Sequence, residues 1–121
     1  MERLTSQERD AMLALWKIQK GTARQILDAH DEPAPHYNTF RSTLDNLKSK
    51  KYLEIRPVGN TNEYLPVIKE TAYKKYFLTS FVKDHFSNSF KEMVAFFAEE
   101  RKLTQNDLEE IIEIIKNRSS K

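Results

Sequence analysis

Apolar residues recur at helical spacing in three short blocks near the N-terminus, then fall into an extended pattern, then return to helical spacing towards the C-terminus. The first block sets Ala11, Met12, Leu15 and Trp16 on one stripe. In front of it, Leu4 begins a hydrophobic staple and Thr5-x-x-Glu8 forms a capping box, so a helix is predicted to start at Thr5. Gly21 is expected to end that segment. Thr22 caps a second, short helix that holds Ile26 and Leu27 and closes near His30. Pro33 and Pro35 forbid helix in the loop that follows. In the third block Phe40, Leu44 and Leu47 stand at i, i+4 and i+7, with Asn38, Arg41, Ser42, Asp45 and Ser49 on the other side.

The period then changes. Tyr52, Leu53, Ile55 and Val58 suggest a strand, Gly59-Asn60-Thr61-Asn62 a turn, and Glu63-Tyr64-Leu65 a return strand ended by Pro66. From Glu70 to Phe86 helical spacing resumes with Tyr73, Phe77 and Phe81, flanked by Leu78, Val82 and His85. Ser87-Asn88-Ser89 breaks it and supplies caps; Phe90, Met93, Val94, Phe96 and Phe97 follow in a short apolar helix. Thr104 caps a last helix bearing Leu108, Ile111, Ile112 and Ile115, and the polar stretch from Asn117 to Lys121 is expected to fray. The predicted fold is mainly α. It has a winged helix-turn-helix of three helices and a β-hairpin over residues 1–69, and a C-terminal helical dimerisation region over residues 70–121.

Composition narrows the function. With 121 residues, 39% hydrophobic and 31% charged, the chain is globular in character and can build a core. No run of apolar residues is long enough to span a membrane, and the first residues hold no apolar leader segment. The absence of cysteine excludes disulfides and thiolate metal sites and fits a cytoplasmic location. Net charge is only +2, but residues 36–57 carry five basic against two acidic side chains, whereas residues 70–121 carry nine of each sign. The positive excess therefore surrounds the third helix.

A helix that reads the major groove needs one apolar face for its own domain and one face of short polar or guanidinium side chains for bases. The third helix has both. Arg41 suits guanine and Asn38 adenine; Thr39, Ser42 and Asn46 belong to the same helix, and Tyr37 at its entrance suits either packing or stacking on a sugar. Lys50 and Lys51 are placed near the phosphate backbone, and Asn60 and Asn62 at the wing tip. The same pattern also describes a solvated helix face, and winged helices also serve as protein-interaction modules. The apolar residues Phe77, Phe81, Phe90, Val94, Phe97, Leu108, Ile111, Ile112 and Ile115 suit a dimer interface, with an intramolecular core as the alternative. No catalytic constellation, metal site or cofactor loop emerges. His30, His36 and His85 lack ligand spacing, there are only two glycines, and Ser87 and Ser89 read as caps.

Six pieces in order resemble the penicillinase-repressor family of bacterial winged-helix regulators. They are Leu4-Thr5-x-x-Glu8 with Met12-x-x-Leu15-Trp16; Gly21-Thr22-Ala23-Arg24-Gln25-Ile26; Thr39-Phe40-Arg41-Ser42-Thr43-Leu44-x-x-Leu47-x-x-Lys50; Gly59-x-x-x-x-Tyr64-x-Pro66; Phe86-x-x-Ser89-Phe90; and Leu103-Thr104-x-x-Asp107-Leu108. The resemblance implies a homodimer, joined through its C-terminal helices, that represses a gene from a palindromic operator in double-stranded DNA. It also implies that Asn38, Thr39 and Ser42 lie in the contact region of the reading helix. The chain departs from the family pattern at Arg9, Asn46, Lys51 and Asn60, where the family often has Trp, Arg, Gly and Arg. Phe96-Phe97 occupies the place of the Asn-Phe bond that a protease cuts in one branch, and the cysteines of the copper-sensing branch are absent. Relief of repression by a sensor, a protease or a ligand is left open by these residues.

Overall fold

The computed structural model describes residues 1–119, so Ser120 and Lys121, part of the stretch expected to fray, lie outside the described residues. The element order is α1 (Ser6–Ile18), α2 (Ala23–Asp28), α3 (Tyr37–Ser49), β1 (Leu53–Val58), β2 (Thr61–Pro66), α4 (Glu70–His85), α5 (Phe90–Glu99) and α6 (Gln105–Ser119). This is the winged-helix order followed by three helices. The chain forms two compact units, Met1–Tyr76 and the residues from Phe77 onward, and the division falls inside α4. No helix among the described residues is long and apolar enough to cross a membrane.

Local capping starts the first two helices. The Glu8 amide donates to Thr5 Oγ1 (3.1 Å) while the Thr5 amide donates to Glu8 Oε1 (2.8 Å). Thr22 and Gln25 repeat the exchange at α2, at 3.2 and 2.9 Å. Both satisfy amides that a helix start leaves without partners. α1 ends differently from the sequence expectation. Gln19 takes the left-handed conformation (φ 73°) and closes the helix, while Gly21 forms a two-way backbone bridge with Tyr64 of β2, at 2.7 and 3.2 Å. A Cβ on Gly21 would lie 2.9 Å from Ile18 Cδ1 and 3.0 Å from Gln25 Oε1. Gly21 is thus required by close approach and not by a helix stop.

The first unit closes around Met12, Leu15, Ile26, Phe40, Leu44, Leu47, Tyr52 and Tyr64, all at most 2% exposed. The predicted inward stripe of α3 is buried, joined by Thr43, whose hydroxyl returns to the Thr39 carbonyl (3.1 Å). The hairpin pairs Leu53 with Pro66 through to Val58 with Thr61. Its two-residue turn is Gly59-Asn60, with Gly59 at φ 61°, the left-handed conformation that hairpin twist demands there. Asn60 alone of the predicted polar tip is loop; Thr61 and Asn62 begin β2. Trp16 Nε1 donates to the Ile68 carbonyl (2.9 Å), and its ring meets Tyr73 at 5.4 Å, which holds the start of α4 on this unit.

A largely buried ion pair joins α1 to the end of α3 in this unit. Glu8 is 4% exposed and accepts from Lys50 Nζ at 2.6 Å; the same ammonium reaches the Arg3 carbonyl at 2.9 Å. Burial pulls the Glu8 carboxyl's pKa up; the hydrogen bonds from Lys50 and the Thr5 amide, with the Lys50 charge, outweigh it and hold the group below its ordinary value. Just beyond, the Tyr52 amide donates to the Leu47 carbonyl and the Lys51 amide to the Lys48 carbonyl, at 3.0 and 2.9 Å. This is a Schellman ending with Lys51 at φ 66° in the position that favours glycine.

In the second unit, Ser89 Oγ accepts from the Glu92 amide (3.1 Å) to start α5. Thr104 and Asp107 exchange bonds at 3.1 and 3.0 Å to start α6. α6 continues through Asn117 and Arg118, which were expected to fray. Among the described residues, Val82 is the one fully buried side chain there.

Two outcomes follow for stability. Since the folded-state pKa of Glu8 lies below the unfolded-state value of 4.5, the stabilisation from its pairing is complete above that value. It is lost as pH falls through the folded-state value. Denaturant unfolding across that range should show a loss that Glu8→Gln removes from the pH dependence, while Lys50→Ala costs about 2 kcal/mol at neutral pH; an unchanged pH profile in Glu8→Gln contradicts this. Lys51→Gly should raise stability by about 0.5–1 kcal/mol, because left-handed backbone costs an L-residue roughly 1–2 kcal/mol and glycine's greater chain entropy returns part of the gain.

Candidate nucleic-acid interface

The burial of Phe40, Thr43, Leu44 and Leu47 dictates which side of α3 faces out. Asn38, Thr39, Arg41, Ser42, Asp45, Asn46, Lys48 and Ser49 are exposed on that outer side. The Ser42 and Ser49 hydroxyls donate to the carbonyls of Asn38 and Asp45, each at 3.2 Å, which turns their lone pairs outward. No side-chain cap holds the α3 N-terminus at His36. The face is therefore mostly small hydrogen-bonding groups, with the Arg41 guanidinium near its start, the Asp45 carboxylate beyond it and Lys48 towards its end.

Four of the predicted contact residues come together. Tyr37 and Arg41 of α3 share a cleft of about 280 Å³ with Asn60 and Asn62 of the wing, and Thr22, Arg24 and Tyr64 complete its wall. Half-buried Tyr37 organises it. Arg41 Nη1 lies 3.4 Å from the Tyr37 hydroxyl, and its Cζ is 5.9 Å from the ring centroid. Arg24 Cζ stands over the same ring at 4.5 Å. The hydrogen bond to Tyr37 first, then the phenols of Tyr64 and Tyr37, and last the Asp45 charge raise the Arg41 pKa further, against a small opposing effect of burial. Burial raises the pKa of Tyr64, opposed by Arg41. Arg41 therefore stays charged at every accessible pH.

The remaining predicted contacts are placed otherwise. Asn38, Thr39, Ser42 and Asn46 lie along α3 outside the cleft, and Lys51 is exposed past its end. Lys50, expected to meet phosphates, is half-buried and pairs with Glu8 and the Arg3 carbonyl. Its ammonium already has a carboxylate, so it belongs to the scaffold of α3. Arg56, part of the basic excess, pairs with Glu54 at 2.7 Å on the wing. Arg24 was not among the predicted contacts. Its sequence signal is faint: a basic residue two positions after the cap of a short helix, whose relation to Tyr37 exists only in three dimensions.

Of the apolar residues assigned to a dimer interface, Phe77, Phe90, Val94, Phe97, Ile111, Ile112 and Ile115 are exposed, Ile115 by 56%. Phe81 and Leu108 are half-buried. Leu78, Phe96 and Ile114 are exposed as well and were not in that assignment. Aromatic contacts run Phe77–Phe81 (6.2 Å), Phe81–Phe86 (5.9 Å) and Phe86–Phe96 (5.7 Å), with His85 against Phe81 at 4.7 Å. Among the described residues no three His, Cys, Asp or Glu side chains gather in a way that could hold a metal ion.

The family described as penicillinase repressor matches residues 4–117 of the chain. No curated protein matches it. Similar solved structures include BpsR of Bordetella bronchiseptica, from work on the regulation of its DNA binding by 6-hydroxynicotinic acid. It is 14% identical with a TM-score of 0.49, over 99% of this chain and 78% of that one. A mutant of ZitR of Lactococcus lactis is 17% identical with a TM-score of 0.46, over 98% and 75%.

Proposed function

Since the chain belongs to the penicillinase repressor family, whose members are DNA-binding transcriptional regulators, we propose that it is a homodimeric repressor that reads a palindromic operator with α3. The observation that carries this reading is the division of α3 into two faces. Phe40, Thr43, Leu44 and Leu47 lock into the core, and Asn38, Thr39, Arg41, Ser42 and Asn46 are offered to solvent. The exposed side chains match what the major groove asks for. Arg41 suits the O6 and N7 acceptors of guanine, and Asn38 the N6 and N7 edge of adenine. Lys51 and the wing tip supply contacts that carry no sequence information.

The second unit supports a dimer. α5 and α6 start at side-chain caps, yet Phe77, Phe90, Phe97, Ile111, Ile112 and Ile115 stay at the surface. Monomeric soluble proteins seldom expose a contiguous apolar patch beyond a few hundred Å². A second copy covers such a face with the same residues, as two-fold interfaces do, and sets two copies of α3 about 34 Å apart on consecutive turns of the duplex.

Sedimentation at micromolar concentration should give a dimer, with Phe97→Asp and Ile112→Asp giving monomers that bind the operator weakly; a monomeric wild type refutes the assembly. Arg41→Ala should lose roughly 1–3 kcal/mol of discrimination at one base-pair position of a selected operator. Gel shifts against single-substitution duplexes measure it. Unchanged discrimination, or failure of the wild type to shift any duplex at low salt, removes α3 from the role of reader and favours a protein-binding wing.

A further inference from the structure

We infer that Arg24, braced on Tyr37, grips one backbone phosphate of the bound duplex, in a cradle completed by the wing-tip amides of Asn60 and Asn62. The inference rests on the DNA-binding reading above and adds a positioning site to it.

Two guanidinium groups converge on one phenol ring. Arg24 Cζ stands over the ring at 4.5 Å from its centroid, and Arg41 approaches at 5.9 Å with a hydrogen-bond donor 3.4 Å from the hydroxyl. Among the described residues no carboxylate forms an ion pair with either guanidinium. Like charges gathered at one ring repel each other, and an anion bound at Arg24 offsets that cost. Stacking uses the flat face of a guanidinium and leaves its N–H edge directed outward, in the fork geometry that fits phosphate oxygens. Tyr37 is half-buried and stands at the first turn of α3, so it holds Arg24 of α2 in register with the reading helix. Thr22, Asn60, Thr61 and Asn62 line the same cleft, whose volume of about 280 Å³ admits a phosphodiester group. Neutral amides on the wing suit this task, since they donate to phosphate oxygens while adding no further repulsion between cations.

The site divides labour with α3. Arg24 stands on α2, off the exposed strip of the reading helix, so its contact carries no sequence information and fixes register instead. The geometry of the cradle also ties wing to helix: one phosphate touched from both sides sets the depth at which α3 enters the groove.

The test is fluorescence anisotropy of the full chain against two labelled duplexes of equal length. One is selected by the wild-type protein from a random pool and the other is unrelated; binding is followed between about 50 and 200 mM salt. Arg24→Ala should weaken both duplexes by the same factor, roughly tenfold, and make the slope of log K against log salt shallower by about 0.9 for each chain bound. Tyr37→Leu should reproduce that uniform loss, and Tyr37→Phe should retain most of the affinity because the ring face remains. Arg24 is exposed, so the circular dichroism of Arg24→Ala should match the wild type. Wild-type affinity and slope in Arg24→Ala, or a loss confined to the selected duplex, overturns the cradle and leaves the DNA-binding reading intact. A wild-type chain that binds neither duplex at low salt overturns both.

Discussion

The contact between Glu8 and Lys50 joins the first turn of α1 to the C-cap of α3, and the geometry of the winged-helix unit depends on it. Glu8 closes the capping box of α1 and accepts the Lys50 ammonium at 2.6 Å, so one carboxylate serves both helices. Lys50 also holds the Arg3 carbonyl, and the buried Tyr52 donates its hydroxyl to the Glu2 carbonyl, so the N-terminal arm is fastened to the same point. A pair of this kind adds little net stability over apolar residues of similar shape, yet loss of one partner leaves a buried charge alone. Its consequence is positional. The end of α3 has one place to sit, and the face it turns to solvent follows from that.

The same segment roots the wing. The Schellman ending at Lys51 reverses the chain into Tyr52 and β1, and the Tyr52 carbonyl accepts the Val67 amide at 2.8 Å where the hairpin returns. On the other flank, Gly21 bridges Tyr64, so the link between α1 and α2 acts as a short third edge to the hairpin. Arg24 and the wing tip meet in one cleft because both are tied, through Gly21 and Tyr64, to the same strand. The absence of a Cβ at Gly21 is what lets that strand approach.

Helices were legible in the sequence because their signals are local. Thr5, Thr22, Ser89 and Thr104 each lie within three residues of the amide they cap, and the stripe of Phe40, Leu44 and Leu47 needs only the helical period to be seen. The exposed strip of α3 follows from the same period. What the sequence does not reveal depends on partners far along the chain. Lys50 looks like a surface cation among Lys48 and Lys51 until Glu8, 42 positions away, is placed beside it. Gly21 looks like a helix stop, because its bridge to Tyr64 leaves no trace in neighbouring residues. Lys51 departs from the family's glycine, and the left-handed backbone there explains why glycine is the usual choice.

The second unit shows how far local signals go on their own. Capping and spacing suffice to define α5 and α6 and the latter part of α4, yet Val82 is the one fully buried side chain among its described residues. Elsewhere the chain uses apolar stripes to build a core, as Met12, Leu15 and Phe40 do in the first unit. Residues such as Ile111, Ile112 and Ile115 repeat that spacing on α6 without an intramolecular layer to cover them. Exposed apolar area on this scale is a driving force without an object inside the single chain, at about 25 cal/mol for each Å² that association removes from water. Association also costs translational and rotational freedom, so a small unit with no core of its own gains from a partner that brings the same surface and needs no second sequence to match. A self-complementary face would meet that condition, and under the proposed reading it would also present two copies of α3 as a palindrome requires.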